Sequence, residues 1–114
     1  MAKPTAAISA IGGFVPETKL TNKMLEEMVD TTDDWITSRT GIKERRILKE
    51  DGKGTSYLGI KAIENMVEKF DVDVSDVDLL ICATATPDMP VASTAAYIAA
   101  EIGAKNAFSY DLMA

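Results

Sequence analysis

The sequence predicts an α/β fold in which helices cover the faces of a parallel sheet. Three observations carry this reading. Leu79-Leu80-Ile81-Cys82-Ala83 is a continuous apolar run of strand length, the pattern of a central parallel strand buried on both faces. Helix-period segments flank it: Leu58, Ala62, Ile63, Met66, Val67 and Phe70 share one face before it, and Tyr97, Ile98 and Ile102 recur after it. A second strand starts at Ala107-Phe108-Ser109-Tyr110, just past Gly103, so the latter half runs α-β-α-β with short connections. That order implies a right-handed βαβ crossover.

The remaining elements follow from local rules. Thr5 to Ile11 is small and β-branched and is closed by Gly12-Gly13, which predicts a first strand and a turn. Asn22 is a good N-cap for a short amphipathic helix carrying Met24, Leu25, Met28 and Val29. Thr31-Thr32-Asp33-Asp34 opens a second helix, with hydroxyls to cap free N–H groups and two acids at the positive end of the dipole. That helix carries Trp35, Ile36 and Arg39 and ends at Gly41. Lys43 to Lys49 predicts a short exposed strand, and Asp51 to Gly54 a loop. Thr55 or Ser56 caps the long helix, whose outer face carries Lys61, Glu64, Glu68 and Lys69. Asp71 to Asp78 is an acidic connector, and the prolines of Thr86-Pro87-Asp88-Met89-Pro90 stop the apolar strand from continuing. Ser93 caps the helix that Gly103 ends. No internal repeat or flexible linker is visible. The last strand runs to Ala114 without a closing loop or polar tail, so the chain is expected to be interrupted there.

Composition removes several function classes. The 114 residues hold 12 Lys+Arg against 18 Asp+Glu, and a net charge of −6 opposes binding to nucleic-acid phosphates. One Cys and no His exclude an internal disulfide, the common zinc sites and most nucleophile–base pairs within this stretch. No apolar run approaches the roughly 18 residues of a membrane-spanning helix. The apolar start is cut by Gly12, Gly13 and Pro16, which fits a strand and turn better than a signal peptide. A cytoplasmic protein without membrane or nucleic-acid partners is the expectation.

Trp35 and Arg39 form the strongest local constellation. Four residues apart on one helix, they lie on the same face, where an indole and a guanidinium offer stacking area and positive charge to a nucleotide. The alternative is a core Trp with Arg39 snorkelling over it as a cation–π pair. Lys43, Arg45, Arg46 and Lys49 either steer an acidic partner or protect a solvated edge strand. Cys82, inside the apolar run, reads as a small hydrophobe rather than a nucleophile. Gly52-Lys53-Gly54 lacks the spacing of a P-loop. From the residues alone, the reading stops at part of an α/β protein with a candidate nucleotide-binding surface.

Several segments together resemble a known family. Thr21-Asn22, Val29-Asp30-Thr31-Thr32-Asp33-Asp34-Trp35-Ile36, Arg39-Thr40-Gly41-Ile42 and Glu44-Arg45 closely resemble the N-terminal region of the β-ketoacyl-[acyl carrier protein] synthase III family, thiolase-fold condensing enzymes of type II fatty acid synthesis. Ala83-Thr84-Ala85-Thr86-Pro87-Asp88 and Ser93-Thr94-Ala95-Ala96 agree, and Tyr110-Asp111-Leu112-Met113-Ala114 looks like the lead-in to the family's nucleophilic Cys. The likeness spans essentially all of 1–114, which would form the N-terminal part of a thiolase-like domain and of its first βαβαβ lobe, incomplete on its own.

The resemblance implies an acyltransferase that condenses an acyl-CoA primer with malonyl-acyl carrier protein, losing CO2. Its Cys, His and Asn would lie beyond Ala114, so these residues alone would be inactive. No cofactor or metal is implied, acyl-CoA being a substrate. Trp35 matches the residue that stacks on adenine and Arg39 the one that meets the nucleotide phosphates, with Thr31 and Thr40 as flanking contacts. Val91-Ala92 departs from the family's usual Phe-Pro. The Phe there reaches across a homodimer interface toward the partner's acyl pocket, so Val91 implies a roomier pocket and longer or more branched primers. Expected partners are acyl-CoA, acyl carrier protein, a second copy of the chain, and the remainder of the same protein, continuous or as a separate chain. Related chemistries of quinolone, polyketide or hydroxymethylglutaryl-CoA synthesis, and a non-catalytic CoA- or nucleotide-binding module, are the competing readings.

Overall fold

The computed structural model describes residues 2, 3 and 5–113. Ala114, the last residue of the run expected to precede a reactive Cys, lies outside them, as do Met1 and Pro4 of the expected N-terminal strand and turn region. The elements are β1 (Lys19–Thr21), α1 (Asn22–Glu26), α2 (Asp33–Thr40), β2 (Glu44–Arg46), α3 (Thr55–Phe70), a 3-10 turn (Val74–Asp76), β3 (Leu79–Ala83), α4 (Thr94–Ile102) and β4 (Phe108–Leu112). They fall into two compact units, Val15–Lys53 and Met1–Phe14 with Gly54–Ala114.

The larger unit contains the expected βαβ arrangement. β3 and β4 pair in parallel, Leu79 opposite Phe108 through Ala83 opposite Leu112, with α4 as the connection. Ala95, Ile98, Ala99 and Ala104 are its buried apolar residues. Small side chains predominate on this side of α4, so the helix can lie close to the strands. Ser93 caps α4 by accepting from the Ala96 amide, and Gly103 ends it in the left-handed region at φ 81°. Asp111 of β4 reinforces the same helix start: its carboxylate accepts from the Thr94 and Ala95 amides, each at 2.7 Å, and from Ser93 Oγ at 3.1 Å. Those bonds hold the Asp111 carboxyl below its usual pKa range, the Ala95 amide most of all.

Three expectations for this unit need correction. Residues 5–11 are not a strand, and Ile8 and Ile11 are exposed, because a strand requires a ladder partner and none faces them among the described residues. β3 is not buried on both faces. Its exposure alternates, with Leu79 49% and Ile81 45% exposed, since helices cover only one side of this two-stranded sheet. Neither Thr55 nor Ser56 caps α3. Gly54 occupies the cap position, and the carboxylate of Asp88, from the loop after β3, accepts from the Ser56 amide at 3.2 Å. Thr55 Oγ1 instead donates to the Thr86 carbonyl at 2.6 Å, tying that loop to the helix start. At its other end α3 closes on Asp71, which takes the left-handed C-cap position at φ 50°.

In the smaller unit β1 and β2 pair antiparallel, Lys19 opposite Arg46 and Thr21 opposite Glu44, with a Lys19–Glu44 ion pair at 2.8 Å across the ladder. The strand expected over 43–49 is thus confined to three residues. α1 is also shorter than its apolar spacing suggests, and Met28 and Val29 lie exposed beyond its end. Its N-cap is Thr21, whose hydroxyl accepts from the Met24 amide, not Asn22. Asn22 is instead 1% exposed inside the unit. Among the described residues no helix is long and apolar enough to cross a membrane.

Candidate functional site

α2 carries the Trp35 and Arg39 pair, and its placement follows from its two ends. Thr32 accepts from the Trp35 amide at 3.1 Å, and Glu26 Oε1 accepts from the Asp33 amide at 2.6 Å, so two side chains satisfy the first turn. Gly41 closes the helix at φ 71°, its amide reaching the Thr37 carbonyl at 2.8 Å. Ile36 is the buried residue of this helix and anchors it inward.

Trp35 projects the other way and is 54% exposed. The Arg39 guanidinium carbon lies 4.8 Å from the centre of its ring, one turn further along. The cation–π pair of the alternative reading is therefore present, but at the surface and not in a core. No ion pair engages Arg39 among the described residues. Beside the indole is an open recess of about 290 Å³ lined by Asp30, Thr31, Thr32 and Trp35. An exposed indole beside a recess, with a planar cation over one face, provides a stacking surface and a fork of phosphate donors together.

Thr31 thus lines the recess, whereas Thr40 sits at the far end of α2. Its hydroxyl donates to the Ile36 carbonyl at 2.7 Å and accepts from the Ile42 amide at 3.0 Å. Val91, in the larger unit, is 97% exposed on the loop between β3 and α4.

The basic cluster divides into two kinds of residue. Arg45 donates to the Leu20 carbonyl at 3.2 Å and to Asn22 Oδ1 at 2.9 Å; Arg46 donates to the carbonyls of Pro16 and Glu17 at 3.0 and 3.3 Å. Both arginines therefore bond within the unit, Arg45 half-buried and Arg46 exposed, while Lys43 and Lys49 are exposed, with Lys43 near enough to Asp33 to lower its carboxyl pKa. Sequence reasoning missed the centre of this arrangement, Asn22, whose burial no local pattern signals.

Cys82 is half-buried, and loss of hydration, with Asp111 and Asp88 nearby, pushes its thiol pKa up. A shift in that direction disfavours the thiolate, the form that acts as nucleophile. An apolar cavity of about 440 Å³ lies along it, between Leu58, Ala62 and Ile63 of α3 and the strand. Among the described residues no cluster of three or more His, Cys, Asp or Glu is arranged to hold a metal ion.

Comparison with known proteins places this geometry in context. The chain is 52% identical over 115 residues to the β-ketoacyl-[acyl-carrier-protein] synthase III of Azobacteroides pseudotrichonymphae, covering 100% of this chain and 34% of that protein. By sequence and by fold, the chain is a homologue of the β-ketoacyl-[acyl-carrier-protein] synthase III family. The crystal structure of the family's Thermus thermophilus enzyme matches with a TM-score of 0.86 and 45% identity, over 96% of this chain and 33% of that one. A priming β-ketosynthase from a polyketide biosynthetic pathway matches with a TM-score of 0.84 and 33% identity, over 94% and 32%. The α/β architecture is thus thiolase-like, and the chain spans about a third of the length of the curated relatives it matches. No protein-family model matches it.

Proposed function

We propose that this chain serves a cytoplasmic condensing enzyme of fatty acid synthesis, an acyltransferase that joins an acyl-CoA primer to malonyl-acyl carrier protein with loss of CO2. Its own contribution is the coenzyme A entrance. The observation that carries this is the exposed Trp35 with the Arg39 guanidinium 4.8 Å from its ring centre, beside an open recess. In this reading the indole stacks on adenine through its free face, Arg39 meets the nucleotide phosphates, and Thr31 offers its hydroxyl from the recess. Thr40 acts through the turn it stabilises more than through direct contact, because both sides of its hydroxyl are already engaged. Catalytic Cys, His and Asn groups come from outside these residues, in keeping with the absence of His from the sequence and the raised thiol pKa of Cys82.

Val91 belongs to the acyl pocket of a homodimer in this reading, and its small side chain favours longer or branched primers. Lys43 and Lys49 are the cations left for an acyl carrier protein. The match to a polyketide priming ketosynthase supports a second reading, the same chemistry on a polyketide starter unit. The test is Trp35→Ala in the active enzyme. Loss of stacking raises KM for acyl-CoA by about 10- to 100-fold, the equivalent of roughly 1.4–2.8 kcal/mol of binding. An unchanged KM contradicts the proposal.

A further inference from the structure

Asn22 is 1% exposed, and its whole amide is committed. Nδ2 donates to Asp33 Oδ1 at 2.7 Å, to the Ile42 carbonyl at 2.7 Å and to Thr37 Oγ1 at 3.3 Å. Oδ1 accepts from Arg45 Nη2 at 2.9 Å, and the backbone amide donates to the Lys43 carbonyl at 3.1 Å. One side chain thereby joins the start of α2, its middle, the residue after its C-cap and strand β2. Asp33 and Thr37 are four apart and share one face of α2; Thr37 Oγ1 also donates to Asp33 Oδ1 at 3.1 Å. Trp35 and Arg39 are likewise four apart, and at roughly 100° per residue they lie about 200° around the helix from that face. Asn22 grips the back of the helix whose front carries the candidate nucleotide surface.

We infer that Asn22 is a positioning residue, fixing the rotation of α2 about its own axis and so aiming Trp35 and Arg39 at their ligand; this rests on the nucleotide reading of that surface. The chemistry requires an amide. The group must donate to a carboxylate and a carbonyl on one side and accept from a guanidinium on the other. A carboxylate cannot do the first and an ammonium cannot do the second. A helix held at both ends but free to roll would present the indole over a range of directions, and the binding step would bear the cost of narrowing them.

The assay compares two acyl donors with the active enzyme, acyl-CoA and the same acyl group on pantetheine, which lacks the nucleotide. Asn22→Asp sets a carboxylate against Asp33, and is expected to raise KM for acyl-CoA about 10-fold while kcat and the rate constants with acyl-pantetheine stay within about 2-fold. Adding Asp33→Asn exchanges donor and acceptor across the 2.7 Å contact and recovers part of the loss, the contact with the Ile42 carbonyl staying unmade. Thr37→Ala, a milder cut in the same grip, shifts the same ratio by about 4-fold, outside that 2-fold band, and serves if the first variant does not fold. Equal loss with both donors, or no loss with either, overturns the positioning role. Trp35→Ala separates the two ideas. If it fails to discriminate between the donors, the nucleotide reading falls; if it discriminates while the Asn22 and Thr37 variants do not, only the role of Asn22 falls.

Discussion

Gly12→Ala should unfold the larger unit at markedly lower temperature, whereas Gly13→Ala should not. A Cβ on Gly12 would lie 2.3 Å from the Ala62 carbonyl oxygen, 2.5 Å from Met66 Cβ and 2.7 Å from the Met66 amide nitrogen. All three atoms belong to the backbone of α3 or to its first side-chain atom, so no rotamer change relieves the conflict and the segment must lift off the helix. Overpacking of this kind costs about 1–3 kcal/mol, and rigid neighbours favour the upper half of that range. For a unit of this size each kcal/mol moves Tm by roughly 4–8 °C, so a fall on the order of 10–20 °C is expected. A Cβ on Gly13 would meet nothing within 4 Å, and its φ is not in the left-handed region. That change should be neutral, or stabilising by about 0.4–1 kcal/mol through the unfolded chain. Urea and thermal unfolding followed by circular dichroism give both numbers. Equal behaviour of the two variants would refute the close approach of Gly12 to α3.

Asp111→Asn should lower Tm at neutral pH, and the gap to wild type should close in acid. The folded-state pKa of Asp111 is depressed, so its stabilisation is complete above the ordinary carboxylate range near about pH 4 and disappears as pH falls through the depressed value. Calorimetry at pH values either side of that range checks this, and a gap constant with pH would count against it. Ile98→Ala, at a position 3% exposed and facing Gly59 of α3, should cost about 2–5 kcal/mol in urea unfolding; a cost under 1 kcal/mol would show that α4 is not the packing centre. Val91→Phe should shift primer competition toward short acyl chains. A preference for acetyl-CoA already strict in the wild type, and unmoved by the change, would reject the pocket role.

The features legible in the sequence are those fixed by near neighbours. Thr32, Asp33 and Asp34 at the start of α2 and Gly41 at its end obey capping rules that act within one turn, and Ser93 and Gly103 do the same for α4. The apolar run at 79–83 and the strand at 108–112 were readable as a parallel pair because a single helix separates them. What escaped depends on distant partners. β1 has three residues and no period of its own; it exists because β2 lies beside it. Asp88 caps α3 from more than thirty residues away. Arg45 and Arg46 look like a free surface charge run until the carbonyls of Pro16, Glu17 and Leu20 engage their guanidinium groups. Of the candidate site, Trp35 and Arg39 were visible as a pair at helical spacing. Whether the indole faced solvent was not, because helical spacing fixes which residues share a face but not which way that face points.

The central claim is that the exposed indole of Trp35 stacks on the nucleotide of acyl-CoA. Fluorescence titration of the active enzyme with 3′-phospho-ADP, the nucleotide half of coenzyme A, tests it most directly, with Trp35→Phe isolating the signal of this residue. Saturable quenching of indole emission that disappears in Trp35→Phe is the predicted result. Tight binding of the nucleotide with no change in Trp35 emission, and with affinity unaltered in Trp35→Ala, would contradict it.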